Sequence, residues 1–145
     1  MFKAPESEID LKERSPLALA FVGDGVLELL VRARLVAQSR LPVGALHRQA
    51  VQLVSARAQF AALAGLQPLL SEAEQEVVRR GRNANKTSVA KNATAQEYRA
   101  ATGLEALFGW LYLRDDLPRI EALFAVIWAH YLEKHPADEG AAPQP

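Results

Sequence analysis

The chain has 145 residues, half of them hydrophobic, with 17 Lys+Arg against 17 Asp+Glu and no cysteine. That length fits one domain with a real core, and the missing thiols exclude disulfides, thiolate metal sites and cysteine nucleophiles. A net charge of zero leaves any nucleic-acid role to the placement of charge rather than its sum.

Alanine and leucine are abundant and β-branched residues few, which favours helices. Residues 1–14 are polar, with no apolar signal core, and predict a flexible lead-in to a soluble, cytoplasmic protein. Ser15-Pro16 pairs a cap with a first-turn proline and opens a helix to about Gln38. Its apolar run, Leu17–Val31, carries two acids and is too short to span a membrane. It reads as a buried helix with Leu17, Phe21, Leu27, Leu30 and Val31 available for the core. Leu41-Pro42 breaks the chain, and a second helical stretch covers about Val43 to Ala64, bent near Ser55 and ending at Gly65. Ser71-Glu-Ala-Glu74 is a capping box for a short helix stopping at Gly81, and residues 81–93 read as a loop. Thr94-Ala-Gln-Glu97 is a second capping box, opening a helix to about Leu113. A last helix runs from Arg119 to about Glu133, and 135–145 reads as a disordered tail. The predicted fold class is all-α, with one folded domain over residues 15–134.

Asp24 lies between Gly23 and Gly25 inside the apolar run of the first helix. An acid in such a setting must be paired, hold a metal or face a cavity. The glycines each weaken the helix by about 1 kcal/mol relative to alanine, while baring backbone to a close partner. Glu105 repeats the pattern between Gly103 and Gly109. Two carboxylates from two helices are a common way to hold a hard divalent ion, and such an ion promotes in-line attack on a phosphate. The alternative for both acids is a structural ion pair with an arginine. Glu28, one turn beyond Asp24, either joins the metal or pairs with Arg32 at i+4.

From Val77 to Gln96 the chain carries Arg79, Arg80, Arg82, Lys86 and Lys91 and no acid. Interleaved Asn83, Asn85, Thr87, Ser88, Asn92 and Thr94 can hydrogen-bond phosphate oxygens or 2′-hydroxyls. Without aromatic residues to stack on unpaired bases, this stretch suits a duplex backbone better than a single strand. The alternative is a solvated surface loop. His47, His130 and His135 show no ligand spacing, and Ser55 and Ser88 lack a neighbouring histidine. Trp110, Tyr112, Phe124 and Trp128 fall at helical spacing and predict core or subunit interface.

Phe21-Val-Gly-Asp-Gly-Val26 followed by Glu105-Ala-Leu-Phe-Gly-Trp-Leu-Tyr-Leu113 resembles the catalytic domain of ribonuclease III. Leu17–Asp24, Val54–Gln59, Arg79–Ala84, Lys91–Ala93 and Glu97–Gly103 narrow the likeness to the short form, Mini-ribonuclease III, which lacks a separate double-stranded RNA-binding domain. The resemblance implies a ribonuclease III-like helical bundle and a homodimer. It further implies cleavage of double-stranded RNA with Mg²⁺ (Mn²⁺ substituting), leaving 5′-phosphates and short 3′ overhangs, on precursor large-subunit (23S) ribosomal RNA. It assigns Asp24 and Glu105 as catalytic and metal-binding acids. The long form's two further acids fall here on Ala20 and Thr102, which leaves fewer protein ligands for the metal. Backbone contact with RNA then falls to Arg79, Arg80, Arg82, Asn83, Asn85, Lys86 and Lys91. Two rivals stand beside this reading. A non-catalytic double-stranded RNA-binding or ribosome-assembly protein would need the basic stretch alone. A helical nucleotide phosphohydrolase would need the acids, in denser clusters than this chain offers.

Overall fold

In the computed structural model, residues 13–85 and 94–134 are described; the expectations for 1–12, for Lys86 and Lys91 in 86–93, and for the tail at 135–145 lie outside them. The described residues form six α-helices and no strand: α1 (Pro16–Gln38), α2 (Val43–Val54), α3 (Ala56–Leu66), α4 (Glu72–Ala84), α5 (Ala95–Leu113) and α6 (Leu117–Lys134). A 3₁₀ turn, Gln67–Leu69, joins α3 to α4.

Local chemistry sets most helix starts. Ser15 Oγ accepts from the backbone N–H of Leu17 at 3.1 Å, with Pro16 in the first turn. Both capping boxes form, Ser71 with Glu74 and Thr94 with Glu97. At Ser55 the backbone turns extended, ending α2, and its hydroxyl caps Ala58 N–H to restart the chain as α3. The last turn, at Asp115, takes a positive φ of 61°, tolerable for an aspartate.

Helix α5 is the hub, buried nearly all round from Ala100 to Leu111 and packed by α1, α3, α4 and α6. Two glycine crossings let neighbours come in at backbone distance. A Cβ on Gly23 would sit 1.6 Å from the Glu105 carbonyl oxygen, and one on Gly109 would sit 1.9 Å from that of Leu19. On the other flank, Gly81 lies over Gly103 Cα and the Thr102 carbonyl.

Two expectations change here. Helix α4 does not stop at Gly81 but runs to Ala84, so Arg82 and Asn83 are helical. Gly81 is a packing glycine against α5 rather than a helix terminator. Secondly, Leu17 and Phe21 do not join the core: they are 48% and 83% exposed, and α1 buries Leu19, Ala20, Val26, Leu27, Val31 and Leu35 instead. Being apolar on nearly every side, α1 gave no periodicity with which to separate its inner face from its outer one.

One ion pair, between buried Glu74 and half-buried Arg119, ties the far side together. The Arg119 guanidinium donates to both Glu74 oxygens at 2.8 Å and to the Leu69 carbonyl, joining α6, α4 and the 3₁₀ turn. No described helix is long and apolar enough to cross a membrane.

Candidate active site

Asp24 and Glu105 meet where α1 crosses α5. Gly23 presses its bare Cα against the Glu105 backbone, so the next residue, Asp24, stands beside the Glu105 side chain. The two carboxyl groups are within hydrogen-bonding reach and interact electrostatically. Asp24 is exposed and Glu105 half-buried, so the pair faces solvent from one side only. Burial, and then the Asp24 charge, push the Glu105 carboxyl up to about 7, against a smaller opposing pull from the Gln59 amide. Neither acid has an arginine partner in the ion pairs of the described residues.

This environment fits a hard divalent cation. Oxygen donors suit such an ion, and its charge would offset both the burial and the Asp24 repulsion that disfavour the ionised Glu105 carboxylate. Among the described residues, no group of three or more His, Asp or Glu gathers where a metal could be held. The protein therefore offers two carboxylates, and water and substrate would complete the coordination. The positions of the long form's extra acids are otherwise engaged. Ala20 is buried, and the Thr102 hydroxyl donates to the Tyr98 carbonyl while accepting from Asn85 Nδ2 at 2.6 Å. Glu28 pairs with Arg32 Nε at 3.0 Å, as its i+4 spacing offered.

Gly25 differs from Gly23: a Cβ there would meet nothing within 4 Å. The close partner of the glycine-flanked acid is α5 itself at Gly23, and Gly25 belongs to the outer face with Leu17 and Phe21.

The basic stretch begins on α4. Arg79 is exposed and hydrogen-bonded to Glu76, with Nε donating at 2.9 Å; Arg80 and Arg82 are half-buried and Asn83 is exposed. Arg82 lays its stem against Gly103. The Asn85 amide is turned inward to Thr102 and the Tyr98 carbonyl, tying the end of α4 to α5. Of the predicted core or interface aromatics, Phe124 and Trp128 are buried, and Trp110 and Tyr112 pack partly buried against the core.

One residue at the site had no role assigned from sequence. Gln59, on α3, is 5% exposed, and its Nε2 donates to Glu105 Oε2 at 3.4 Å and to the Val54 carbonyl at 3.0 Å. The available signal was a glutamine at the head of the apolar run of α3, four residues after its capping serine.

The family model for the Ribonuclease III domain matches residues 17–116. Mini-ribonuclease 3 of Thermoanaerobacter sp. (strain X514) is 46% identical over 107 residues, covering 74% of this chain and 75% of that protein. Mini-ribonuclease 3 of Clostridium tetani is 38% identical over 125 residues, 86% of this chain and 83% of its own. The crystal structure of a Fusobacterium nucleatum protein superposes with a TM-score of 0.76 at 29% identity, covering 83% of this chain and 98% of that one. With Asp24 and Glu105 converging on a fold that these proteins share, the chain belongs to the ribonuclease III family, within its Mini-ribonuclease 3 group.

Proposed function

We propose that the chain is an endoribonuclease that hydrolyses phosphodiester bonds of double-stranded RNA, with Mg²⁺ (or Mn²⁺ in its place) held by Asp24 and Glu105. The observation that carries the reading is the pairing of these two acids, from helices remote in sequence, in one solvent-facing site with no basic partner among the described ion pairs. A cation bound there lowers the pKa of a coordinated water and offsets charge on the phosphate. Asp24, the more exposed acid, meets incoming phosphate and water; Glu105, held deeper, must lose its proton before it serves as an anionic ligand.

The substrate class follows from family membership and from Arg79, Arg80, Arg82 and Asn83, continued in sequence by Lys86 and Lys91, while the inward-turned Asn85 amide adds no support. Cations and small polar side chains without stacking aromatics suit a duplex backbone. Precursor large-subunit (23S) ribosomal RNA, in the cytoplasm, is the natural substrate that the resemblance implies. The homodimer draws support from the outer face of α1, where Leu17, Phe21 and Gly25 leave apolar surface beside Asp24. A second copy covering it would set two active sites on one duplex.

Incubation of a generic RNA duplex with the protein and Mg²⁺, with EDTA as control, tests the activity. Asp24→Asn and Glu105→Gln abolish cleavage while keeping duplex binding and helicity. Cleavage by either variant near the parent rate overturns that residue's role, and cleavage in EDTA overturns the metal. Duplex binding without any cleavage would favour the non-catalytic rival.

A further inference from the structure

We propose that Gln59 is a positioning residue for the active site, its side-chain amide holding Glu105 so that one carboxylate oxygen is taken and the other is presented toward Asp24. The inference rests on reading Asp24 and Glu105 as a cation site.

Three buried polar side chains stand out among the described residues: Gln59, Glu74 and Thr102. Glu74 bonds Arg119 and Ser71, and the Thr102 hydroxyl, one turn before Glu105, is taken up by Asn85 and the Tyr98 carbonyl. Gln59 alone of the three touches the carboxylate pair. Both of its partners, the Val54 carbonyl and Glu105 Oε2, are acceptors, so the NH₂ end must face them and the amide orientation is determined. One hydrogen anchors the amide to the last residue of α2 and the other reaches the acid. The anchor is the Val54 carbonyl itself, and the Ser55 hydroxyl, which accepts from Ala58 N–H, makes no contact with the amide. A glutamate has three side-chain torsions, and such an anchor removes much of that freedom.

The position is not optimised for packing alone. Gln59 Oε1 is buried with no protein partner, a loss that an apolar side chain of similar length would avoid. Gln59 also borders a small cavity of about 20 Å³ beside Leu27, Val54 and Leu104, room for one water. The competing explanation is that Gln59 only satisfies the Val54 carbonyl at the α2–α3 break.

The experiment measures Mn²⁺ affinity of RNA-free protein by electron paramagnetic resonance, beside kcat on a duplex and thermal stability. It compares Gln59→Met, Ser55→Ala, Asp24→Asn and Glu105→Gln. Gln59→Met keeps the length but loses both donations; about tenfold weaker Mn²⁺ binding and a comparable fall in kcat are expected, with duplex binding in EDTA unchanged. Ser55→Ala loosens the same break without touching Glu105 and should lower the melting temperature only. A Gln59→Met protein that behaves like Ser55→Ala overturns the positioning role while leaving the cation site standing. Unchanged Mn²⁺ binding in Asp24→Asn and Glu105→Gln overturns both readings together. Should Gln59→Met fail to fold, the parent protein gives the answer by nitrogen-15 NMR. The Gln59 side-chain NH₂ signals should shift on Mg²⁺ titration in the parent and not in Asp24→Asn; signals indifferent to Mg²⁺ overturn the proposal.

Discussion

Gly23 lies against the backbone of Glu105 so closely that a single methyl group on its Cα would fall 1.6 Å from the Glu105 carbonyl oxygen. The obstacle is backbone in the middle of a buried helix, so no rotamer change relieves it. Gly23→Ala must therefore push α1 off α5 and carry Asp24 away from Glu105. A stability loss of about 3 kcal/mol or more is expected from overpacking of this kind, measurable by thermal unfolding. Gly25→Ala is the control. With nothing within 4 Å of its Cβ, it should stabilise the isolated helix by up to about 1 kcal/mol.

Much of the architecture was readable because capping is short-range chemistry. Ser15-Pro16, Ser71 with Glu74 and Thr94 with Glu97 needed only their own neighbours, and all three open helices as expected. Asp24 and Glu105 stood out because acids in apolar runs demand a reason. Partners distant in sequence left no local trace. Glu74 meets Arg119 across 45 positions and Gln59 meets Glu105 across 46, and no spacing announces either. Gly81 shows the same limit: a glycine near a helix end looks like a stop until the helix lying on it is known.

The Glu105 carboxyl gives a pH signature with an unusual sign. Its ordinary value of 4.5 rises to about 7 in the fold, so ionising it costs folded-state stability. Without a cation, that stability is complete below about pH 4.5, declines as pH climbs through about 7, and is then level. The size is bounded at about 3 kcal/mol. Glu105→Gln should remove this component in denaturant unfolding between pH 5 and 8. A cation held as proposed would take the ionised form, so the apparent affinity for Mg²⁺ should rise with pH through about 7, checked by titration calorimetry. An affinity flat over that range would contradict the shift.

The Glu74–Arg119 pair predicts the opposite slope. Arg119 hydrogen bonds hold the Glu74 carboxyl below its usual value, so the stability it contributes is present above about pH 4.5 and is lost as pH falls through the lowered folded value. Arg119→Met leaves Glu74, 5% exposed, without its counter-ion. The expected loss at pH 7 is about 2–4 kcal/mol, somewhat discounted because Arg119 is partly in solvent. Chemical denaturation at pH 7 and pH 3 should show the variant's deficit shrinking in acid.

Arg82→Gln and Lys86→Gln test the basic stretch. If each side chain neutralises one phosphate, each substitution should weaken duplex binding and reduce the slope of log affinity against log salt by roughly one unit. Fluorescence anisotropy with a labelled duplex in EDTA reads this without cleavage. An unchanged slope in both variants removes the stretch from the RNA contact.

Phe21 tests the dimer. At 83% exposure it touches little of its own chain, yet it stands one turn before Asp24 and one turn from exposed Leu17 and Gly25. Contiguous exposed apolar surface of this kind is where a partner docks. Phe21→Asp should leave helicity and melting of the isolated chain nearly unchanged, because the core loses no contact. A charge in a covered apolar patch has no partner, so association should fail. Sedimentation equilibrium should then find a 15.9 kDa species, against the doubled mass expected of the parent protein as the proposed dimer. A variant that keeps the parent's mass would exclude this face of α1 from the contact.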